Sequence, residues 1–163
     1  MFRSATIREG FIAGVLAASA VALWFFVADI LAGAPLYTPL LLVTALLNVL
    51  GAETSSVFWP IAAYTVFHYA AFIGVGTLVT TLIAASNRDP GYFAGLFLLF
   101  AVLEAAFYGY ALLLSKLDSV GTIAWYQIAA ANLLASSVMG TYLWRKHPEA
   151  VRGLDSALRG TTP

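Results

Sequence analysis

Four long apolar runs, almost free of charge, constrain this chain more than any other feature. Residues 10–33, 58–86, 91–115 and 120–144 are each long enough to cross a bilayer, which takes roughly 20 apolar residues for about 30 Å of hydrocarbon. A chain built this way is expected to fold in lipid. Each polar side chain inside a run then needs a partner or a wet surface, because hydrocarbon offers no hydrogen bonds.

Composition points the same way. The chain has 163 residues, 61% hydrophobic and 10% charged, against about 25% charged in a soluble domain. Four spans leave too few residues for a separate soluble domain. Residues 1–148 therefore read as one transmembrane domain and 149–163 as a polar cytoplasmic tail. The net charge of zero hides an asymmetry. Arg3, Arg8, Arg88, Arg145, Lys146, Arg152 and Arg159 fall on one side of the spans and only Lys116 on the other. The positive-inside rule then places both termini in the cytoplasm, as an even number of spans requires. The basic tail sets topology before it need touch anionic lipid.

Arg3, Arg8, an apolar stretch and Ala32-Gly33-Ala34 superficially resemble a signal peptide. The apolar stretch is longer than the usual 7–15 residues, and Pro35 follows the would-be cut. The first run is expected to be retained as a helix. There is no cysteine, which excludes disulfides, thiolate catalysis and Cys-ligated metals.

Helices are expected over about 10–32, 58–86, 90–115 and 120–146, with a short one over about 39–50. Thr38-Pro39 is a start signal, a hydroxyl cap followed by proline in the first turn. The following apolar stretch, Leu40–Leu50, extends only roughly 16 Å and cannot cross. Gly51 ends it. The predicted fold is all-α: a four-helix transmembrane bundle with a short extracytoplasmic interfacial helix between helices 1 and 2. Asn87-Arg88-Asp89-Pro90-Gly91 reads as a tight cytoplasmic turn, and His147-Pro148 as a stop. A short helical piece around Leu154–Leu158 is the most the tail is expected to hold. Gly10-Phe11-Ile12-Ala13-Gly14 echoes Gly91-Tyr92-Phe93-Ala94-Gly95, a faint hint of a duplicated helix pair.

In the first span Gly10, Gly14, Ala18 and Ala22 recur every four residues. Small residues at that spacing let two membrane helices approach closely, so this is a helix-packing face. Near mid-span lie three polar side chains, His68, Glu104 and Asn132, each roughly 15 Å below the outer surface at 1.5 Å per residue. A carboxylate at that depth costs at least ~2.5–3.5 kcal/mol. The shared depth predicts that the three meet inside the bundle, with Tyr64 and Tyr108 extending the network outward. Such a cluster either fixes helix register or handles a proton, an ion or a small polar ligand.

Trp24-Phe25-Phe26-Val27-Ala28-Asp29, Gly33 to Pro39, Tyr64 to His68, Asn132 to Ala135 and Tyr142 to Pro148 resemble small, uncharacterised bacterial four-helix integral membrane proteins. The resemblance covers nearly the whole chain. It implies a bacterial cytoplasmic membrane location and brings no activity or residue role.

Zinc takes three or four ligands, and His68 with Glu104 supplies two. His147 lies beyond the last span, which also rules out a bis-histidine haem. No metalloprotease, hydrolase or nucleotide motif occurs. No cofactor or metal is expected, and nucleic acid is not an expected partner, because topology already accounts for the few basic residues. An enzyme would need Asp29, Glu53 and Asp118 to line a wet outer cleft. Singly, Asp29 reads as a solvated helix-end acid. The favoured reading is a non-enzymatic membrane protein, with the lipid bilayer as its first partner. The alternative is a scaffold or accessory subunit that docks on a second copy or another membrane protein through the Gly10–Ala22 face.

Overall fold

A computed structural model describes residues 4–51, 56, 58–86, 92–115, 125–149 and 152. Five helices follow one another: α1 (Ser4–Leu31), α2 (Tyr37–Leu50), α3 (Phe58–Ser86), α4 (Tyr92–Ser115) and α5 (Trp125–Lys146). No strand occurs among the described residues. The turn at 87–91, the segment 116–124 with Lys116 and Asp118, Glu53, and the tail piece around Leu154–Leu158 lie outside the described residues.

By length and apolar composition, α1 and α3 can cross a membrane, and among the described residues they are the two helices that meet that test. α5 carries Gln127, Asn132, Ser136, Ser137 and Thr141 along its length, which lowers its apolar character. Large apolar side chains nevertheless face outward on all four long helices. Val66 is 70% exposed, Phe67 64%, Leu98 64% and Leu133 66%. Such exposure of large apolar side chains is compatible with a membrane or a partner covering them.

α1 begins at Ser4, six residues before the expected Gly10. The sequence reading placed the start at the edge of the apolar run, but Ser4 to Glu9 are helix-compatible residues and nothing there stops the ladder. At its other end a Schellman motif closes the helix. The Ala34 amide bonds Asp29 O at 2.9 Å and the Gly33 amide bonds Ile30 O at 3.0 Å. Gly33 sits at φ 74°, where the missing Cβ removes the steric penalty.

α2 starts at Tyr37 rather than at Pro39, and Thr38 is not its cap. Leu36 holds the capping position at φ 66°, with no side-chain bond of its own. The first turn is satisfied by other means. The Tyr37 amide bonds Ala34 O at 3.1 Å, Leu40 bonds Leu36 O at 3.2 Å, and Pro39 has no N–H to satisfy. The Thr38 amide bonds the Asp29 carboxylate at 2.8 Å. Gly51 closes α2 at φ 64°, its amide turned to Leu47 O and Asn48 O.

The principal contacts run in the order α4, α3, α1, α5. α1 and α3 lie antiparallel, and the first half of α1 meets the second half of α3 backbone to backbone. A Cβ on Gly14 would stand 2.5 Å from Ile73 Cα, and one on Gly10 would strike Thr77 Cα. On the facing helix, a Cβ at Gly76 would meet Gly10 O and come within 2.8 Å of Gly14 N. Three glycines thus permit dispersion contact that no larger residue allows. A second face of α1, Ala13, Ala17 and Val21, packs with Ala131, Ala135, Met139 and Leu143 of α5. Both sets recur every four residues, so the two ridges of small and medium side chains can interlock. Polar ties mark the two ends of this pair. Trp24 Nε1 donates to Gln127 Oε1 at 3.1 Å, and His147 Nε2 lies 3.0 Å from Glu9 Oε2.

Candidate functional site

Toward the end of α1 and the start of α3, the glycines give way to Phe25, Phe26, Tyr64 and Tyr69, and the two helices border a half-open cavity instead of a contact. Its volume is about 370 Å³, within the roughly 300–1,000 Å³ range of small-molecule sites. α1 contributes Val21, Ala22, Phe25, Phe26 and Asp29. α3 contributes Ile61, Tyr64, Thr65, His68 and Tyr69, and Leu36, Thr38 and Pro39 close it from the start of α2.

At the deep end, His68 Nε2 donates to Ala18 O at 3.0 Å. In the neutral ring this fixes the Nε2–H tautomer and leaves Nδ1 with its lone pair. The ring is held by aromatics of its own helix. Tyr64 stacks on it at 6.0 Å and 28°, Phe72 packs at 4.9 Å and Tyr69 meets it edge-on at 5.7 Å. The Tyr69 hydroxyl shares a 3.0 Å hydrogen bond with Ser19 Oγ. Two neighbouring polar contacts therefore tie α3 to α1 at mid-helix. Interhelical bonds of this kind are worth about 0.6 kcal/mol each in a membrane, so they fix register more than they supply stability.

At the other end, Asp29 is buried, 5% exposed, as is Thr38. Thr38 donates twice to it, from its amide to Oδ2 at 2.8 Å and from its hydroxyl to Oδ1 at 2.7 Å. The carboxylate thus caps the first turn of α2 from the preceding helix, where the positive end of the helix dipole favours it. Asp29 is therefore not the solvated helix-end acid expected from sequence. Ala18 and Asp29 are eleven residues apart, so the cavity spans about 16 Å along α1 between its two polar ends.

Between those ends the wall is mainly apolar, and several of its polar groups are bonded within the chain. Thr65 donates its hydroxyl to Ile61 O at 2.8 Å, and Asp29 and Thr38 bond each other. Below His68 the same holds. Thr77, Thr80 and Thr81 each donate to the carbonyl four residues back, at 2.8, 2.7 and 2.7 Å.

The expected cluster is not assembled by hydrogen bonds. His68 turns its Nε2 to α1, Glu104 sits on α4, whose principal contact is α3, and Asn132 sits on α5, whose principal contact is α1. Glu104, Tyr108 and Asn132 are half-buried, and no hydrogen bond joins them to His68 among the described residues. Tyr64 does meet His68, as their spacing on one helix implies. Of the small-residue face, Gly10, Gly14 and Ala18 are buried and Ala22 is exposed. Its glycines are covered by α3 of the same chain. Among the described residues no three His, Asp or Glu side chains gather to hold a metal ion.

Sequence reasoning missed the Asp29–Thr38 pair. An acid in the last turn of one helix, nine residues before a Thr-Pro helix start, was the available signal. Comparison with protein-family models, with curated proteins and with solved structures finds no match. The site is therefore read from its own chemistry.

Proposed function

We propose that this chain is a non-enzymatic bacterial cytoplasmic-membrane protein that crosses the bilayer four times, with both termini cytoplasmic. It binds a small, mainly apolar molecule, taken from the membrane, between α1, α2 and α3. The observation that carries this reading is the cavity of about 370 Å³, several of whose polar lining groups are already bonded within the chain. A site for a free ion or a strongly polar solute keeps its donors and acceptors available. This one presents aromatic and aliphatic surface, with one half-buried imidazole at the bottom. The outward-facing Val66, Phe67, Leu98 and Leu133 support a lipid surrounding.

Photolabelling in vesicles tests the reading. A hydrocarbon carrying a diazirine should label Phe25, Phe26 and Ile61 saturably, while labelling of lipid-facing Val66 and Phe67 should rise in proportion to probe. Ala22→Trp should fill the cavity and abolish the saturable component. Proportional labelling at both sets of residues in the unmodified protein would contradict the proposal.

A further inference from the structure

We infer that the cavity selects an uncharged molecule bearing a hydroxyl or N–H group, which donates to Nδ1 of His68. This rests on the binding reading above and adds the chemical class of the ligand. Several polar groups that line the cavity are already bonded within the chain. Asp29 and Thr38 satisfy each other at 2.8 and 2.7 Å. Thr65 is bonded to Ile61 O, and Tyr69 to Ser19. His68 donates through Nε2 to Ala18 O, and a neutral imidazole has one donor and one acceptor. That leaves Nδ1, a ring acceptor with no hydrogen bond to a described residue. It calls for a donor, not for another acceptor.

Charge narrows the class further. Among the described residues the one acidic side chain lining the cavity is Asp29, and no basic residue lines it. An anionic head group would meet a buried carboxylate without a compensating cation, in surroundings that screen little. A carboxylate, sulfonate or phosphate ester is therefore disfavoured. A neutral alcohol, phenol or amide with an apolar body meets both conditions. Its polar group reaches the deep end at His68, and its body lies against Val21, Phe25, Phe26 and Ile61.

The test is competition against the hydrocarbon diazirine probe, with the full-length protein in vesicles. Three competitors share one chain length: an alcohol, its methyl ether and the carboxylate. The ether keeps the oxygen and loses only the donor. The alcohol should compete about five-fold better than the ether, as expected for one neutral hydrogen bond, and the carboxylate should compete worst. His68→Phe should reduce the advantage of the alcohol to less than about two-fold while the hydrocarbon still labels saturably. His68→Gln, which keeps a donor for Ala18 O and an acceptor, should retain it. Equal competition by alcohol and ether, or a carboxylate that matches the alcohol, would overturn this inference and leave the binding reading standing. Absence of saturable hydrocarbon labelling would overturn both.

Discussion

Asp29 and Thr38 lock the end of α1 to the start of α2 through two hydrogen bonds to the two oxygens of one carboxylate. Among the described residues no other side-chain hydrogen bond ties these two helix ends, and the pair forms one end of the cavity.

Removing the acid leaves a buried amide and a buried hydroxyl without partners, each worth about 1–3 kcal/mol. Asp29→Ala should therefore destabilise the protein by about 2–4 kcal/mol and speed amide exchange in the first turn of α2. Thr38→Ala should cost less, because its amide remains bonded. The double variant should fall short of the sum by about 0.5–3 kcal/mol, the coupling expected of contacting residues. Thermal unfolding in detergent and hydrogen exchange measure both. Additive effects would show that the contact carries no energy.

Gly76 and Gly74 lie two residues apart on α3 and make opposite demands. A Cβ at Gly76 meets the α1 backbone, whereas at Gly74 nothing stands within 4 Å. Gly76→Ala should cost about 1–3 kcal/mol by forcing the helices apart. Gly74→Ala should be neutral or gain up to about 1 kcal/mol in helix propensity. Thermal shifts of the two purified variants decide the matter, and equal shifts would contradict the close α1–α3 approach.

Glu104 makes no hydrogen bond or ion pair to a described residue. Glu104→Leu should therefore leave thermal stability unchanged or raise it, since a mid-membrane carboxyl costs about 2.5–3.5 kcal/mol on insertion scales. A loss above about 1 kcal/mol in the melting measurement would reveal a partner for the acid.

At the inner end, His147 stands 3.0 Å from Glu9 and 3.3 Å from Glu149. The Glu149 carboxyl is held below its ordinary value of 4.5, first by its own backbone amide and then by His147. The folded state therefore ionises Glu149 more readily than the unfolded chain does. Its contribution is complete above the unfolded value and is lost as pH falls through the lowered folded one. Glu149→Gln should lower stability slightly near neutrality and flatten the acid-side slope, so that the two proteins converge as pH falls through the lowered value. Stability measured against pH below about 5 in both proteins checks the sign.

The sequence made depth and spacing legible and left direction hidden. Gly10, Gly14 and Ala18 announced a packing face because small residues at every fourth position line one side of a helix and let a second backbone approach. Their partner, Gly76, went unremarked because a glycine in an apolar helix looks the same whichever way it faces. His68, Glu104 and Asn132 could be placed at one depth from residue counts. Their azimuths could not, since the four long helices are apolar nearly all round and carry little amphipathic signal. Which helix meets which is therefore set by packing that periodicity does not encode. Asp29 was misread because a helix-end acid is usually wet, whereas here the turn at Gly33 folds the next helix start back over it.

The central claim is that lipid surrounds the long helices, with the cavity in the outer half and both chain ends inside. The absence of cysteine makes single-cysteine labelling in intact cells the most direct measurement. With a membrane-impermeant maleimide, Thr44→Cys in α2 should react from outside, and Ser4→Cys and Glu149→Cys only after the membrane is opened. Labelling of Ser4→Cys and Glu149→Cys on opposite sides, or recovery of the intact chain in the soluble fraction without detergent, would contradict the account.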